Sequence, residues 1–188
     1  PGTLIKDLHG GVLGGVLKQG KLKVGDVIEI KPGHSYKKKN QFYYKTVKSK
    51  IVSIQRGSDK IGEALPGGSL AIETELDPSL TKADSLSGCT LSTEGKLPEI
   101  SSDIKVKFEL FKEVFGTGKH EPVQEMKVSE LLMLSLNTTT TVGKVEKVKG
   151  NEVEFSLKIP VVPLKGESLG IARNINGHWR LVGFGEIV

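Results

Sequence analysis

Cysteine is almost missing from this sequence: Cys89 stands alone among 188 residues. One thiol closes no disulfide and builds no Cys-based zinc site, since both need several thiolates. Histidine is scarce as well, and His9, His34, His120 and His178 lie too far apart to show ligand spacing, so no metal site is expected. No apolar run approaches the roughly 18–20 residues that a helix needs to span a bilayer, so no membrane partner is expected. The chain also lacks a secretory leader and an initiator methionine, and its opening Pro1-Gly2 reads as the interior of something longer.

Catalytic signatures are missing too. Gly116-Thr117-Gly118-Lys119-His120 invites comparison with a phosphate loop, but that motif needs a glycine where Glu113 stands and Ser or Thr where His120 stands. A loop between two strands is the simpler reading. There is no Gly-x-Ser-x-Gly elbow, and no histidine has a neighbouring nucleophile and orienting acid in a local motif. Cys89, between Gly88 and Thr90, reads as a small buried residue rather than a reactive thiol. His178-Trp179-Arg180 borders alternating apolar residues, a pattern of core or interface. No catalytic residue is assigned.

What the sequence has is an uneven charge. The net charge of +5 arises entirely in residues 1–97, which carry 15 Lys+Arg against 10 Asp+Glu, whereas residues 98–188 carry 12 of each. Between Lys31 and Lys60 there are nine basic residues and one acid, Asp59. Aromatics are interleaved with them: Tyr36, Lys37, Lys38 and Lys39, then Phe42, Tyr43, Tyr44 and Lys45. Such a stretch is either a phosphate-attracting surface or a hairpin loop kept soluble by lysines.

It also has 23 glycines that punctuate short runs of Val, Ile and Leu, the pattern of small antiparallel barrels. Gly25-Asp26-Val27-Ile28-Glu29-Ile30 reads as a strand ended by Pro32-Gly33. Phe42 to Gln55, Gly67 to Ile72, Ile104 to Leu110, Leu131 to Leu136, Val142 to Val148 and Val153 to Ile159 continue the series. A Gly-Asn turn at Asn151 separates the last two. Helical periodicity is weak; only Val128 to Met133 offers a short helical turn. The predicted fold is all-β, in two units of about 90 residues, 1–97 and 98–188, divided near Thr93-Glu94-Gly95-Lys96-Leu97-Pro98.

The glycine-rich opening, Asp7-Leu8-His9-Gly10-Gly11-Val12-Leu13-Gly14-Gly15-Val16 through Gly20-Lys21-Leu22-Lys23-Val24-Gly25-Asp26, resembles the second domain of translational GTPases. Lys50 to Ile54, Ala64-Leu65-Pro66-Gly67-Gly68 and Leu76-Asp77-Pro78-Ser79-Leu80-Thr81-Lys82-Ala83-Asp84 extend the match. With Ile171-Ala172-Arg173 and His178 to Gly185, the whole chain resembles the gamma-subunit family of archaeal and eukaryotic translation initiation factor 2. The run from Asp77 to Asp84 and the Trp179 to Gly185 stretch make the resemblance specific.

That resemblance implies two consecutive antiparallel β-barrels like the second and third domains of elongation factor Tu, with the first lacking its opening strand. An unpaired sheet edge is then expected. It implies a cytoplasmic heterotrimer subunit that carries initiator methionyl-tRNA to the small ribosomal subunit. GTP and Mg would belong to a GTPase domain outside this chain, which would also hold the beta subunit, so no cofactor and no enzymatic activity are expected here. By the same resemblance the first barrel binds the tRNA 3′ end and docks the alpha subunit, while the neutral second barrel supports it. The implied tRNA-end loop is Glu63, Ala64, Leu65, Pro66, Gly67 and Gly68, flanked by Gly10, Gly11, Gly14 and Gly15. There Leu65 offers an apolar face to a base and Glu63 an acceptor to a ribose hydroxyl. Lys45, Lys48, Lys50 and Arg56 are candidate phosphate contacts. Competing readings are a stand-alone β-barrel RNA-binding or scaffold protein, the barrels of another elongation factor-like GTPase, and a hydrolase assembled from distant residues.

Overall fold

The structure, a computed structural model, describes residues 10–39, 41–116 and 121–188. The first nine residues, including His9 and the start of the glycine-rich hairpin, lie outside them, as do Asn40 and Thr117–His120 of the loop compared with a phosphate loop. The chain divides into two compact units, Pro1–Leu97 and Pro98–Val188. Both are built from strands.

In the first unit the strands are β1 (Val12–Val16), β2 (Leu22–Lys23), β3 (Val27–Lys38), β4 (Gln41–Arg56), β5 (Asp59–Ile61), β6 (Glu63–Ala64), β7 (Ser69–Thr74) and β8 (Thr90–Thr93). They form a curled sheet in the order β1-β7-β4-β3-β8, with β5 added to β4 and a separate β2-β6 pair. β4 changes partners part-way: up to Lys50 it pairs with β3, and from Ile51 onward with β7. Alternation decides which face is inside. Leu70, Ile72 and Thr74 of β7 point inward, with Ile51 and Ile54 of β4 and Ile28 of β3. Thr74 is the polar member of that row, and its Oγ1 donates to the Gly11 carbonyl at 2.7 Å, so its burial leaves no hydroxyl unsatisfied.

Two expectations are corrected. Pro32-Gly33 does not end the strand; β3 runs through it to Lys38. Ile30 pairs with Val47 and His34 with Lys45, so four steps on β3 oppose two on β4 and the excess is taken up as a bulge. Gly33 makes this possible: its φ is +87°, and a Cβ there would stand 2.1 Å from the Lys45 carbonyl oxygen. Nor do Val128 to Met133 turn helically. Lys127–Glu130 is a tight turn with Ser129 at φ +68°, and Leu131 already begins a strand whose alternating leucines face a core.

The Leu76–Asp84 run is a local device. Asp77 caps the first of two 3-10 turns in Pro78–Asp84, which are parted by a kink at Lys82 and Ala83; it accepts from the Ser79 N–H at 2.8 Å, with Pro78 in the first position, where no backbone donor is needed. Thr81 from this segment closes over Gly11, where a Cβ would meet its methyl at 2.6 Å.

The second unit comprises β9 (Ser101–Leu110), β10 (Leu131–Leu136), β11 (Thr139–Lys149), β12 (Glu152–Val161), β13 (Ser168–Ile175) and β14 (His178–Ile187). They close into a barrel, β10-β11-β12-β9-β14-β13. Inward residues include Val106, Leu132, Leu134, Val145, Val153, Phe155, Ile171 and Val182, all fully buried; each large side chain contributes about 1.5–3 kcal/mol. Asn176-Gly177, both at positive φ, turns β13 into β14 as a two-residue hairpin. Trp179 is 41% exposed and belongs to the outer face, not the core. Arg173 ties the irregular segment before β10 to the barrel: it donates to the Gln124 and Glu125 carbonyls and forms an ion pair with Glu130. On the outer face, Glu154 lies between Lys147 and Lys105, and Glu152 between Lys149 and Lys107. This cross-strand ladder sets four of the ten lysines in residues 98–188 against Glu152 and Glu154.

Candidate nucleic-acid interface

The loop from Leu65 to Gly68 is built by what precedes it. Ala64 is fully buried and pairs with Leu22, which fixes where the chain leaves the core. Leu65 then turns outward, 54% exposed. Gly67 and Gly68 have φ of +127° and +68°, and a Cβ on either would meet nothing within 4 Å. Their role is therefore conformational and their surroundings open. The loop is pinned from β4, where Arg56 Nη2 donates to the Leu65 carbonyl at 2.6 Å. Arg56 Nε is shielded from solvent and has no partner among the described residues.

The proposed neighbours of this loop separate into two groups. Gly15 pairs with Leu70 and Val16 with Ser69, so Gly14 and Gly15 run beside the exit of the loop, exposed and with open space where side chains would stand. Gly10 and Gly11 sit at the opposite end of β1. A Cβ on Gly10 would stand 1.6 Å from the Thr74 carbonyl oxygen, and Gly11 is covered by Thr81. Both therefore serve close packing within the chain, Gly11 being buried and Gly10 half-buried. Ala64, being buried, offers no side chain either. Glu63 is exposed, but its carboxylate is 3.1 Å from Lys23 Nζ, an ion pair that any ribose hydroxyl must share. Lys23 carried no sequence signal for this part; only the β2-β6 pairing brings it to Glu63.

The lysines do not join the loop. Lys45 is eleven residues from Arg56 along β4, about 36 Å of strand, and Lys50 six residues, about 20 Å. Lys48 bonds Glu94 at 2.5 Å, and that hydrogen bond and charge raise its pKa further above the ordinary lysine value. Lys45 and Lys50 lie in the exposed part of the β3-β4 hairpin. Among the described residues no group of three His, Cys, Asp or Glu side chains could hold a metal ion.

Residues 102–187 match the family model described as "Initiation factor eIF2 gamma, C terminal". Over all 188 residues the chain is 44% identical to the translation initiation factor 2 subunit gamma of Methanococcus vannielii, covering 46% of that protein. It is 43% identical to the Pyrococcus furiosus subunit and 40% identical to the Methanocaldococcus jannaschii subunit, again over its full length and 46% of theirs. The chain is homologous, end to end, to the C-terminal part of initiation factor 2 gamma subunits. The resemblance read from the Asp77 to Asp84 and Trp179 to Gly185 runs thus extends across both units.

The family model covers the closed barrel alone, whereas the gamma-subunit relatives also cover the first unit, where the Leu65 loop lies. The chain spans about half the length of these relatives. No described helix is long and apolar enough to cross a membrane.

Proposed function

We propose that the first unit holds the aminoacylated 3′ end of initiator methionyl-tRNA at the Leu65–Gly68 loop and docks the alpha subunit, for delivery to the small ribosomal subunit in the cytoplasm. The observation that carries this reading is the loop itself. An exposed leucine is followed, after Pro66, by two open-faced glycines and is fixed through its carbonyl by Arg56, whose guanidinium is at hand for a phosphate. A terminal base packs on Leu65, the backbone of Gly67 and Gly68 admits the ribose, and Gly14 and Gly15 leave room for the adjoining nucleotide. Glu63 accepts from a ribose hydroxyl when Lys23 yields part of its contact. No nucleotide cofactor and no catalytic step belong to this part; GTP, Mg and the beta subunit belong with the GTPase domain that the family resemblance implies.

The test is made in the full gamma subunit. Leu65→Ala and Arg56→Ala should each weaken binding of initiator methionyl-tRNA about tenfold and leave capture of the alpha subunit unchanged. Wild-type tRNA affinity in both variants would reject the site. A gene with no phosphate-loop sequence within about 200 residues upstream, one domain's worth of chain, would reject the wider reading.

A further inference from the structure

The far end of the β3-β4 hairpin takes no part in the site above. His34–Lys38 pair with Gln41–Lys45. β8 accompanies β3 only as far as Lys31, and β7 accompanies β4 only from Ile51. Among the described residues this end is therefore a two-stranded ribbon, and a ribbon has little to bury its side chains against. Tyr36, Phe42 and Tyr43 are exposed, Phe42 at 63%. Tyr36 and Tyr43, opposite each other in register, stack with centroids 5.7 Å apart. Lys37 Nζ stands 6.0 Å from the centroid of its register partner Phe42. Lys38, Lys39 and Lys45 complete the ribbon's charge, and no acidic residue occurs between Lys31 and Ser58.

These features select a ligand. An acidic protein would use the lysines but has no need of three exposed aromatic faces. An RNA duplex hides its base faces in the stack, and its major groove is too narrow for side chains to read. A single strand offers both unstacked bases and a phosphate for each lysine. We propose that the β3-β4 ribbon binds single-stranded RNA, with Phe42 and the Tyr36–Tyr43 pair stacking bases and Lys37, Lys38, Lys39 and Lys45 following the phosphates. The choice of RNA over DNA rests on the translation-factor family; the surface itself is independent of the Leu65 loop. Tyr43 and Arg56 are thirteen residues apart on β4, up to about 43 Å of strand.

The experiment is fluorescence anisotropy of the 188-residue chain with a labelled twelve-nucleotide oligouridine, a twelve-base-pair RNA duplex and a hexaglutamate peptide as separate probes. The oligouridine should bind more tightly than the other two. Phe42→Ala should weaken it about 5- to 150-fold, the range of one stacked base, and Phe42→Trp should restore it. Replacing Lys37, Lys38 and Lys39 by alanine should reduce the salt slope by about 2, at roughly 0.7 per phosphate. Arg56→Ala and Leu65→Ala should remove only what the 3′ end of the oligouridine gains at the Leu65 loop, and the loss caused by Phe42→Ala should be the same in their background as in the wild type, so failure of the tRNA-end site and failure of the ribbon read out separately. The proposal is overturned if oligouridine does not bind at low salt or if Phe42→Ala binds it like the wild type. It is equally overturned if Arg56→Ala removes the binding, or if hexaglutamate or the duplex binds as tightly as the single strand.

Discussion

Glu29 and Lys31 divide the two backbone polar groups of Leu97 between them. Glu29 accepts from the Leu97 N–H at 2.9 Å, and Lys31 Nζ donates to the Leu97 carbonyl at 3.3 Å. Both side chains are buried, with their charges 3.8 Å apart. The last residue of the first unit is thus held from β3, by a pair that sits among apolar neighbours. Glu29→Gln keeps the shape and removes the carboxylate charge that stands 3.8 Å from the buried Lys31 ammonium. The first unit should lose about 3 kcal/mol in urea unfolding, and adding Lys31→Met should recover part of it. A double variant no more stable than Glu29→Gln would show that the two charges are not coupled.

Acid should act through the same carboxylate. The Leu97 N–H lowers the Glu29 pKa most; burial opposes it, and the Gly95 N–H, Lys31 and the Lys96 N–H add to the lowering. A depressed folded pKa stabilises the unit at pH above the ordinary carboxylate value, near 4.5, and that stability is lost as pH falls through the folded value. Urea midpoints measured from pH 7 to pH 3 should fall more steeply for the wild type than for Glu29→Gln. Parallel profiles would exclude Glu29 as a source of the acid dependence.

Each unit carries its own reporter. Cys89, the single thiol, is partly buried beside Gly33 in the first unit, and burial raises its pKa. Trp179, the single tryptophan, belongs to β14 of the second. Cys89 should resist alkylation at pH 8 until the first unit unfolds, while Trp179 fluorescence follows the barrel. Phe155→Ala, which empties the barrel core, should lower the Trp179 transition by about 3–5 kcal/mol and leave the Cys89 transition in place. Equal displacement of both curves would mean that the units unfold as one.

Glycines that look equivalent in the sequence should respond in opposite ways. Gly10→Ala forces a Cβ onto the Thr74 carbonyl and should prevent the first unit from folding stably. Gly14→Ala meets open space on a strand and should be neutral or stabilising by a few tenths of a kcal/mol. Gly68→Ala also meets open space, but at φ +68° it should cost about 1–2 kcal/mol. Thermal unfolding of the three variants gives the order directly.

The strand content was legible because alternation is a local property: the period of Ile104 to Leu110 states which face is wet. Pro32-Gly33 misled because a proline–glycine pair usually stops a strand, and only the pairing of Ile30 with Val47 and His34 with Lys45 reveals a bulge. Val128 to Met133 misled for a similar reason, since a short apolar run has no period of its own until its partners are known. At the candidate site, the outward leucine and the two glycines could be read from the chain. The Lys23–Glu63 pair and the Arg56 bond to Leu65 could not, because both depend on distant segments meeting. The same folding parts Gly10 and Gly11 from Gly14 and Gly15, although they are adjacent in sequence.

In the closed barrel every strand has a neighbour on both sides, whereas β1 in the first unit pairs with β7 alone among the described residues. Amide hydrogens should register the difference. Those of β9 to β14 exchange with deuterium chiefly when the whole barrel opens, whereas those on the outer edge of β1 exchange from the native state, along the strand that carries Gly14 and Gly15. The same backbone that we propose leaves room for a nucleotide is then also the place where the molecule admits solvent first.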